Sequence, residues 1–261
     1  MNTIAGARMS GCGGSVIMFV HGVGSTAAVW DPQLRAFSDR YRCFAVELRG
    51  NGASKPEPDP ETIDRSGFVQ DVLAVADAAR APRFHFVGCS LGGVVAFELL
   101  KHVPERFLSV TLVGSFAAYG GAQTYAQSVA QAARACGSME RFAGERAAKL
   151  GLRPGARTEE TIAQMACKSL DSYIASTFAT WTGDYRALLP FIGVPCLVIC
   201  GERDAVAPRR YSEEIARAVP GARLEILSGA GHVANADEPE RFNRVLRHFL
   251  EANGEAEHAL T

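Results

Sequence analysis

The sequence lacks a strong charge of either sign. Its 27 Lys and Arg side chains nearly balance its 28 Asp and Glu side chains, so the formal net charge is −1 over 261 residues. Without a basic surplus, neither nucleic acid nor an anionic membrane surface is an expected partner. No apolar run reaches the roughly 18 residues of a membrane span, and residues 1–15 lack the continuous apolar segment of a secretory signal. These absences predict a cytoplasmic protein whose partners are small molecules.

The cysteine pattern argues against a disulfide-stabilised protein and against a metal-binding protein. The sequence has seven cysteines, an odd number, and they are scattered along the chain. This pattern favours reduced thiols over a disulfide framework. The sequence contains no C-x-x-C pair and no H-E-x-x-H segment, so neither a metal nor another cofactor is expected. Nothing in the sequence fixes the oligomeric state, and a homo-oligomer stays open.

What the sequence does contain is an alternation of strand-like and helix-like segments. Apolar residues make up 48% of the chain and can fill a large core. Strands are predicted at 16–20, 41–47, 84–87, 108–113, 194–200 and 224–227, and helices at 30–39, 64–79, 91–103 and 238–252. Several strands are almost entirely apolar, as in sheets covered by helices on both faces. The pattern predicts an α/β fold with a mostly parallel sheet.

Residues 116–190 break this alternation. They show helical patterns at 122–136, 138–150, 158–170 and 172–183, with a turn at Arg153-Pro154-Gly155 and no convincing strand. A crossover between parallel strands needs only one helix, so the four patterns favour a lid over ordinary crossover helices. The predicted organisation is therefore a core domain of residues 1–115 and 191–261 with a helical lid of residues 116–190.

The pentapeptide Gly88-Cys89-Ser90-Leu91-Gly92 lies between an apolar strand and an apolar helix. It predicts a nucleophile elbow, in which a serine at the tip of a sharp strand-to-helix turn adopts a strained backbone conformation. The flanking glycines leave room for that turn. The pentapeptide alone is weak evidence, because a chain rich in glycine and serine matches it by chance.

The serine hydroxyl needs a base, and the base needs an acid that orients it. Asp204 and His232 each follow a predicted strand, in the chain order Ser, Asp, His that this type of sheet uses. Glu202 is the alternative acid. His21 is the rival base, although it opens a glycine-rich loop that its side chain is expected to shape by hydrogen bonding. His85 alternates with phenylalanines in a strand and is expected to be a core histidine.

Acyl transfer also needs donors for the oxyanion. The N–H of Leu91 stands at a predicted helix N-terminus, where unpaired N–H groups favour negative charge. A second donor is expected from the loop after the first strand, at the N–H of Val23. Such preorganised donors stabilise a transition state by roughly 3 to 4 kcal/mol each.

Five motifs together resemble the α/β-hydrolase superfamily. They are His21-Gly22-Val23-Gly24 with Trp30, the run Leu48-Arg49-Gly50-Asn51-Gly52-Ala53-Ser54, the Ser90 elbow, the segment from Val194-Pro195 to Asp204, and Gly231-His232. The resemblance implies an eight-stranded sheet with a helical lid inserted before the last two strands. Two features depart from the usual pattern. The start is short, so a reduced N-terminal hairpin is expected, and Glu47 stands where many relatives carry Asp.

Within that superfamily, the sequence around Trp30 and the run from Gly231 to Pro239 are most similar to 3-oxoadipate enol-lactonases. The similarity implies hydrolysis of a small lactone or ester with a carboxylate nearby. Lid arginines could bind that carboxylate, or could simply be solvated. These arginines are Arg134, Arg141 and Arg186, and the substrate-pocket candidates are His21, Trp30, Trp181, Val206 and Val233.

Other functions use the same residues. Hydrolases that cleave a carbon-carbon bond in ring-fission products rank second, because they usually carry a Gly-Pro-Gly loop where Gly24-Ser25-Thr26 stands here. An acyltransferase or perhydrolase would keep the triad, and so could a small-molecule receptor of the same fold. Haloalkane dehalogenases and epoxide hydrolases place Asp at the elbow, and Ser90 argues against both.

Overall fold

The computed structural model describes residues 6–52, 59–150 and 156–258. The predicted turn at Arg153-Pro154-Gly155 lies outside the described residues, as do Ala53 and Ser54. Seven strands are found in the described part: β1 (Ala7–Ser10), β2 (Val16–Val20), β3 (Arg42–Val46), β4 (Phe84–Cys89), β5 (Phe107–Val113), β6 (Cys196–Gly201) and β7 (Arg223–Leu227). The helices are α1 (Asp31–Phe37), α2 (Arg65–Ala78), α3 (Leu91–His102), α4 (Ala122–Ala135), α5 (Met139–Lys149), α6 (Ala156–Ala166), α7 (Leu170–Trp181), α8 (Arg209–Ala218), α9 (Ala234–Asp237) and α10 (Pro239–His258).

The strands form one sheet in the order β1-β3-β2-β4-β5-β6-β7. Neighbouring strands are parallel except at β1, which pairs antiparallel with β3. The prediction of a mostly parallel sheet is confirmed. The expectation of eight strands is corrected to seven among the described residues. β1 escaped prediction because it is a four-residue edge strand with no buried position, so it carries no apolar alternation.

Alternate side chains of each central strand enter opposite layers of the core. In β2, Ile17 and Phe19 pack on the side of α1 and α10, whereas Met18 and Val20 pack on the side of α2 and α3. All four are fully buried. Burying a side chain of this size contributes about 1.5 to 3 kcal/mol, so this double-sided core holds the sheet rigidly and fixes where its strands end.

Local signals explain where the helices begin and end. The carboxylate of Asp64 caps α2 by accepting a hydrogen bond from the N–H of Gly67 at 2.6 Å. α3 ends just before Pro104, which cannot continue a helix. Among the described residues, no helix is long and apolar enough to cross a membrane.

The helices α4 to α7 lie between β5 and β6 in the chain, within residues 116–190, and we call them the lid helices, or the lid. They share a small core of their own, built from Val129, Ala133, Phe142, Met165 and Tyr173. Val23, in the loop after β2, packs against this lid core. The lid therefore touches the sheet next to the elbow.

Candidate active site

Ser90 lies at the turn between β4 and α3 with backbone angles φ 53° and ψ −109°. Arg80 is the other non-glycine residue with positive φ among the described residues, so the conformation is rare in this chain and strained. A Cβ at Gly88 would lie 2.3 Å from the carbonyl oxygen of Gly92, and one at Gly92 would lie 2.3 Å from that of Val20. Both glycines are therefore required by close backbone contacts.

Asp204 follows β6 in a short loop that fixes its carboxylate at three points. Oδ1 accepts hydrogen bonds from the N–H groups of Val206 at 2.9 Å and Ala207 at 2.8 Å. Oδ2 lies 2.8 Å from Nδ1 of His232. Because a carboxylate accepts, Nδ1 carries the proton and Nε2 is left to accept one. Both side chains are buried.

Glu202, the alternative acid, lies closer to the end of β6 than Asp204 does, but it has different hydrogen-bond partners. Its Oε2 accepts hydrogen bonds from the N–H of Gly229 at 2.8 Å and the hydroxyl of Ser228 at 2.9 Å. These bonds lower the pKa of the Glu202 carboxyl. Glu202 therefore holds the start of the loop that carries His232, and the carboxylate brought to the imidazole is that of Asp204.

The loop of His232 is fixed from the core and from the lid. The N–H of Gly231 donates to Oδ2 of Asp237, and the N–H of His232 donates to the carbonyl of Leu150, both at 2.8 Å. Gly114 gives room for the pair. Its φ is +51°, and a Cβ there would lie 3.0 Å from Oδ2 of Asp204 and 3.1 Å from Nδ1 of His232. Gly114 is absent from the predicted site residues, although a glycine directly after a predicted strand is a usable signal.

The Ser90 cleft is a narrow cavity of about 30 Å³ beside the elbow. Its lining includes Val23, Ser90, Leu150, His232 and Val233, so the elbow, the candidate oxyanion loop, the candidate base and the lid meet in one space. Leu91 is the first residue of α3, and its N–H has no acceptor within the helix. Both candidate oxyanion donors thus belong to segments that border the cleft.

His21 lies fully buried in the loop after β2. Its Nδ1 is 2.9 Å from the carbonyl oxygen of Gly22, and its Nε2 accepts from the N–H of Leu48 at 3.2 Å. The Glu47 carboxylate also lies 3.2 Å from Nε2, so the ring is held by three neighbours. This geometry matches the loop-shaping role, and within the described part of the chain the hydrogen bonds of His21 go to Gly22 and Leu48 and not to Ser90.

The other pocket candidates divide between cleft and core. Val233 lines the Ser90 cleft, and Val206 lines a neighbouring cavity under the lid. Trp181 stacks on Phe116 and meets the ring of Tyr125 edge-on. Trp30 instead lies fully buried between Phe19 and Phe242. The structure therefore assigns Trp30 to the core, because the aromatic side chains of β2 and α10 enclose its indole.

The lid arginines named from the sequence turn toward solvent or toward acids. Arg186 bonds Asp184, and Arg141 lies 3.6 Å from Glu145. Arg134 is exposed. A fourth arginine, Arg146, is buried, and the sequence analysis did not identify it. Its burial depends on side chains from other helices, which the pattern of α5 alone does not reveal.

Glu47 and Lys168 connect the lid to the loops around the cleft. The Glu47 carboxylate accepts from the N–H of Ala27 at 3.2 Å and lies 3.2 Å from Nε2 of His21. Nζ of Lys168, in the lid, is 3.5 Å from the carbonyl oxygen of Gly50. Burial lowers the pKa of Lys168 to about 7, while the charge of Glu47 opposes that shift. Across the described residues, no group of acidic, histidine or cysteine side chains could hold a metal ion.

Comparison with known proteins defines the class. Residues 15–239 match the family model for the alpha/beta hydrolase fold, and the chain therefore belongs to that family. One relative is the 3-oxoadipate enol-lactonase 2 of Acinetobacter baylyi, 30% identical over 236 residues that cover 88% of this chain and 86% of the relative. A putative carbamate hydrolase, RutD, of Azorhizobium caulinodans is 29% identical, covering 90% of this chain and 91% of the relative. The crystal structure of the enol-lactonase from Burkholderia xenovorans superimposes with a TM-score of 0.84 at 25% identity, covering 94% of this chain and 95% of the other.

Proposed function

We propose that this protein is a serine hydrolase that cleaves a small carboxylic ester or lactone through an acyl-enzyme. Ser90 is the nucleophile, His232 the general base and acid, and Asp204 the residue that orients His232. The N–H groups of Val23 and Leu91 bind the oxyanion. The observation that carries the proposal is the 2.8 Å contact between Nδ1 of His232 and Oδ2 of Asp204, at the same edge of the sheet as the strained Ser90.

The reaction proceeds in two steps, formation of the acyl-enzyme and its hydrolysis by water. Oγ of Ser90 adds to the carbonyl carbon while its proton passes to Nε2 of His232, and the charge on the carbonyl oxygen is held by the two backbone N–H groups. The tetrahedral adduct collapses, and His232 protonates the leaving oxygen. In an ester the alcohol departs, whereas in a lactone the opened chain keeps its hydroxyl. Water then attacks the acyl carbonyl while His232 takes its proton, and His232 passes that proton to Oγ of Ser90 as the bond to the acyl group breaks, which releases the acid and restores the free hydroxyl.

The closed surroundings of Ser90 favour this chemistry. Ser90, Asp204 and His232 are each at most 6% exposed, so charges that develop there are poorly screened by water and fixed dipoles act strongly on them. Asp204 keeps its place without the substrate, because two backbone N–H groups hold Oδ1. The imidazole is therefore held ready for the serine proton before the substrate binds.

The test is turnover of 4-nitrophenyl esters and small lactones by the purified protein, with Ser90→Ala as the blank. Ser90→Ala should lower kcat by up to about a million-fold, because the nucleophile is lost while the oxyanion donors persist. A pre-steady-state burst of 4-nitrophenol followed by repeated turnover is expected. Ser115→Ala is the matched control, since Ser115 is also buried near the elbow but its hydroxyl donates only to backbone carbonyls.

The same panel separates the competing functions. Full activity of Ser90→Ala would remove Ser90 from the reaction, and a single burst with no further turnover would favour a receptor over an enzyme. Carbamates and vinylogous ring-fission products belong in the panel, because the chain is similar to a putative carbamate hydrolase and the triad also serves carbon-carbon cleavage. Preference for either over esters and lactones would contradict the proposal.

A further inference from the structure

The Ser90 cleft is small for a site that has to hold an organic substrate. Its volume is about 30 Å³, which is roughly the share of one water molecule in the liquid. Pockets that hold drug-sized ligands measure roughly 300 to 1,000 Å³. The side chains that border the cleft therefore decide how large a group can sit beside Ser90.

The lid contributes three residues to the wall of the cleft, namely Leu150, Thr161 and Met165. The carbonyl of Leu150 accepts the hydrogen bond from the N–H of His232, so Leu150 is tied to the loop of the base. Thr161 and Met165 lie four residues apart on α6, and residues at this spacing share one face of a helix. Thr161 is partly exposed, whereas Met165 is only 2% exposed. Met165 is therefore the buried side chain that α6 inserts at the cleft.

Met165 lies directly against the candidate oxyanion loop. A Cβ at Gly24 would lie 2.7 Å from Cε of Met165 and 3.3 Å from its Cγ. Behind the methionine, Phe142 of α5 and Tyr173 of α7 belong to the same lid core. An unbranched thioether fills irregular gaps of this kind. Met165 thus occupies the space between the lid core and the loop of Gly24, and it borders the cleft from there.

The chemistry of the proposed reaction places Met165 on the acyl side of the scissile bond. His232 must reach the leaving oxygen to protonate it, so the alcohol part of an ester lies on the side of His232. The carbonyl oxygen faces the N–H of Val23, one residue before Gly24. The acyl chain is the remaining substituent of the carbonyl carbon, and it extends away from His232, toward the side of the cleft where Met165 lies.

We propose that Met165 is a specificity-determining residue that limits the acyl part of the substrate to a short chain. The inference rests on the proposed ester or lactone hydrolysis. The thioether fills the space beside Gly24 that a longer acyl chain would need, and the lid core behind it leaves the side chain buried. The substrate class is then an ester with a short acyl chain, or a lactone with a small ring.

The experiment compares 4-nitrophenyl acetate with 4-nitrophenyl hexanoate, which share a leaving group and differ only in the acyl chain. The wild type should show the higher kcat/KM for the acetate. Met165→Ala removes the thioether and should raise the ratio of the hexanoate kcat/KM to the acetate kcat/KM. The expected rise is about 10- to 100-fold, within the range that one methylene in an apolar pocket produces. Met165→Leu keeps the side-chain volume and should keep the wild-type ratio.

Met165→Val removes less of the side chain and should give an intermediate ratio, so the result does not depend on Met165→Ala alone. Met139→Ala is the matched control. Met139, on α5, packs against the same lid core but is not among the described residues that line the Ser90 cleft, and its loss should leave the ratio unchanged.

Three results would overturn the proposal. The first is a wild type that hydrolyses both esters equally well. The second is an unchanged ratio in Met165→Ala and Met165→Val. The third is an equal rise of the ratio in Met139→Ala, which would show that a loosened lid and not the bulk of Met165 changes the choice of acyl chain.

A binding measurement separates this inference from the proposed function if the wild type hydrolyses neither ester. Titration calorimetry then compares the binding of the hexanoate ester to Ser90→Ala and to the double variant Ser90→Ala/Met165→Ala, neither of which needs turnover. Tighter binding by the double variant would mean that the size limit stands and the hydrolysis is wrong. Equal binding by the two proteins, or none by either, would mean that the size limit is wrong as well.

Discussion

The carboxyl edge of the sheet and the lid position their functional side chains by different means. At the sheet edge, β4 and β6 are buried on both faces and β7 pairs in register with β6, and short loops carry Ser90, Asp204 and His232 from the ends of these strands. In the lid, Met165 is held by side chains of the neighbouring lid helices. The sheet edge is therefore suited to an invariant reaction, and the lid to a variable choice of substrate, since lid side chains can change without moving a strand.

The largest expected effect is on kcat, and it comes from substitutions in one loop at the carboxyl edge of the sheet. Asp204→Asn should lower kcat about ten-thousand-fold, because an amide cannot stabilise the imidazolium and favours the wrong tautomer of His232. Glu202→Gln should change kcat by only a few-fold, since Glu202 bonds Ser228 and Gly229 and not the imidazole. Steady-state kinetics on a 4-nitrophenyl ester, with the melting temperature of each variant, measures both.

The pH profile adds a second readout for the same loop. Wild-type kcat/KM should fall at acid pH, because a general base must be free of its proton to accept the one from the serine. Glu202→Gln should keep that profile. A flat profile between about pH 5 and pH 8, or a loss in Glu202→Gln as large as that in Asp204→Asn, would contradict the assignment of His232 and Asp204.

The same division explains what the sequence predicts and what it does not. Ser90, Asp204 and His232 are predictable because each follows an apolar strand, and the carboxyl ends of parallel strands share one edge. Met165 is not, because the helical pattern of α6 cannot show that its side chain lies against Gly24 in a distant loop. Trp30 is a pocket candidate from the sequence, but Phe19 and Phe242 bury it in the core, and local sequence does not show these distant partners.

The free energy of unfolding should decrease in acid because of a buried histidine in the sheet. His85 is buried in β4 with Nδ1 2.8 Å from the hydroxyl of Ser109. Burial, helped by the charge of Arg83, lowers the pKa of His85 from 6.5 to about 4. The unfolded chain binds the proton more readily between these values, so stability is lost as the pH falls through that window. The free energy of unfolding should drop by about 2 kcal/mol between about pH 7 and pH 5.

His85→Asn is the test, because the amide can still bond Ser109 but does not titrate. Urea unfolding should show a smaller loss of stability between pH 7 and pH 5 in this variant than in the wild type. His102→Asn, on the exposed end of α3, is the control and should keep the wild-type loss. An unchanged slope in His85→Asn would show that other groups set the acid response.

The smallest effect concerns the junction between lid and sheet, where burial lowers the pKa of Lys168 from 10.5 to about 7. Between these values the unfolded chain binds the proton more readily, so stability should rise with pH. The expected gain between about pH 7 and pH 8.5 is about 1.5 kcal/mol. Lys168→Met should lose this gain while keeping the aliphatic stem, and Lys149→Met, an exposed lysine of the lid, should retain it.

The fluorescence of the two tryptophans can follow the urea unfolding of the sheet core and of the lid separately. Trp30 is buried in the sheet core and Trp181 stacks in the lid. In a Trp30→Phe background, fluorescence during urea unfolding reports the lid, and in a Trp181→Phe background it reports the core. If the lid unfolds before the sheet, the Lys168→Met difference should appear in the Trp181 transition alone, because Lys168 lies at the contact that is lost first. The same difference in both transitions would mean that lid and sheet unfold as one unit, and its absence from both would remove Lys168 as a titrating group at this junction.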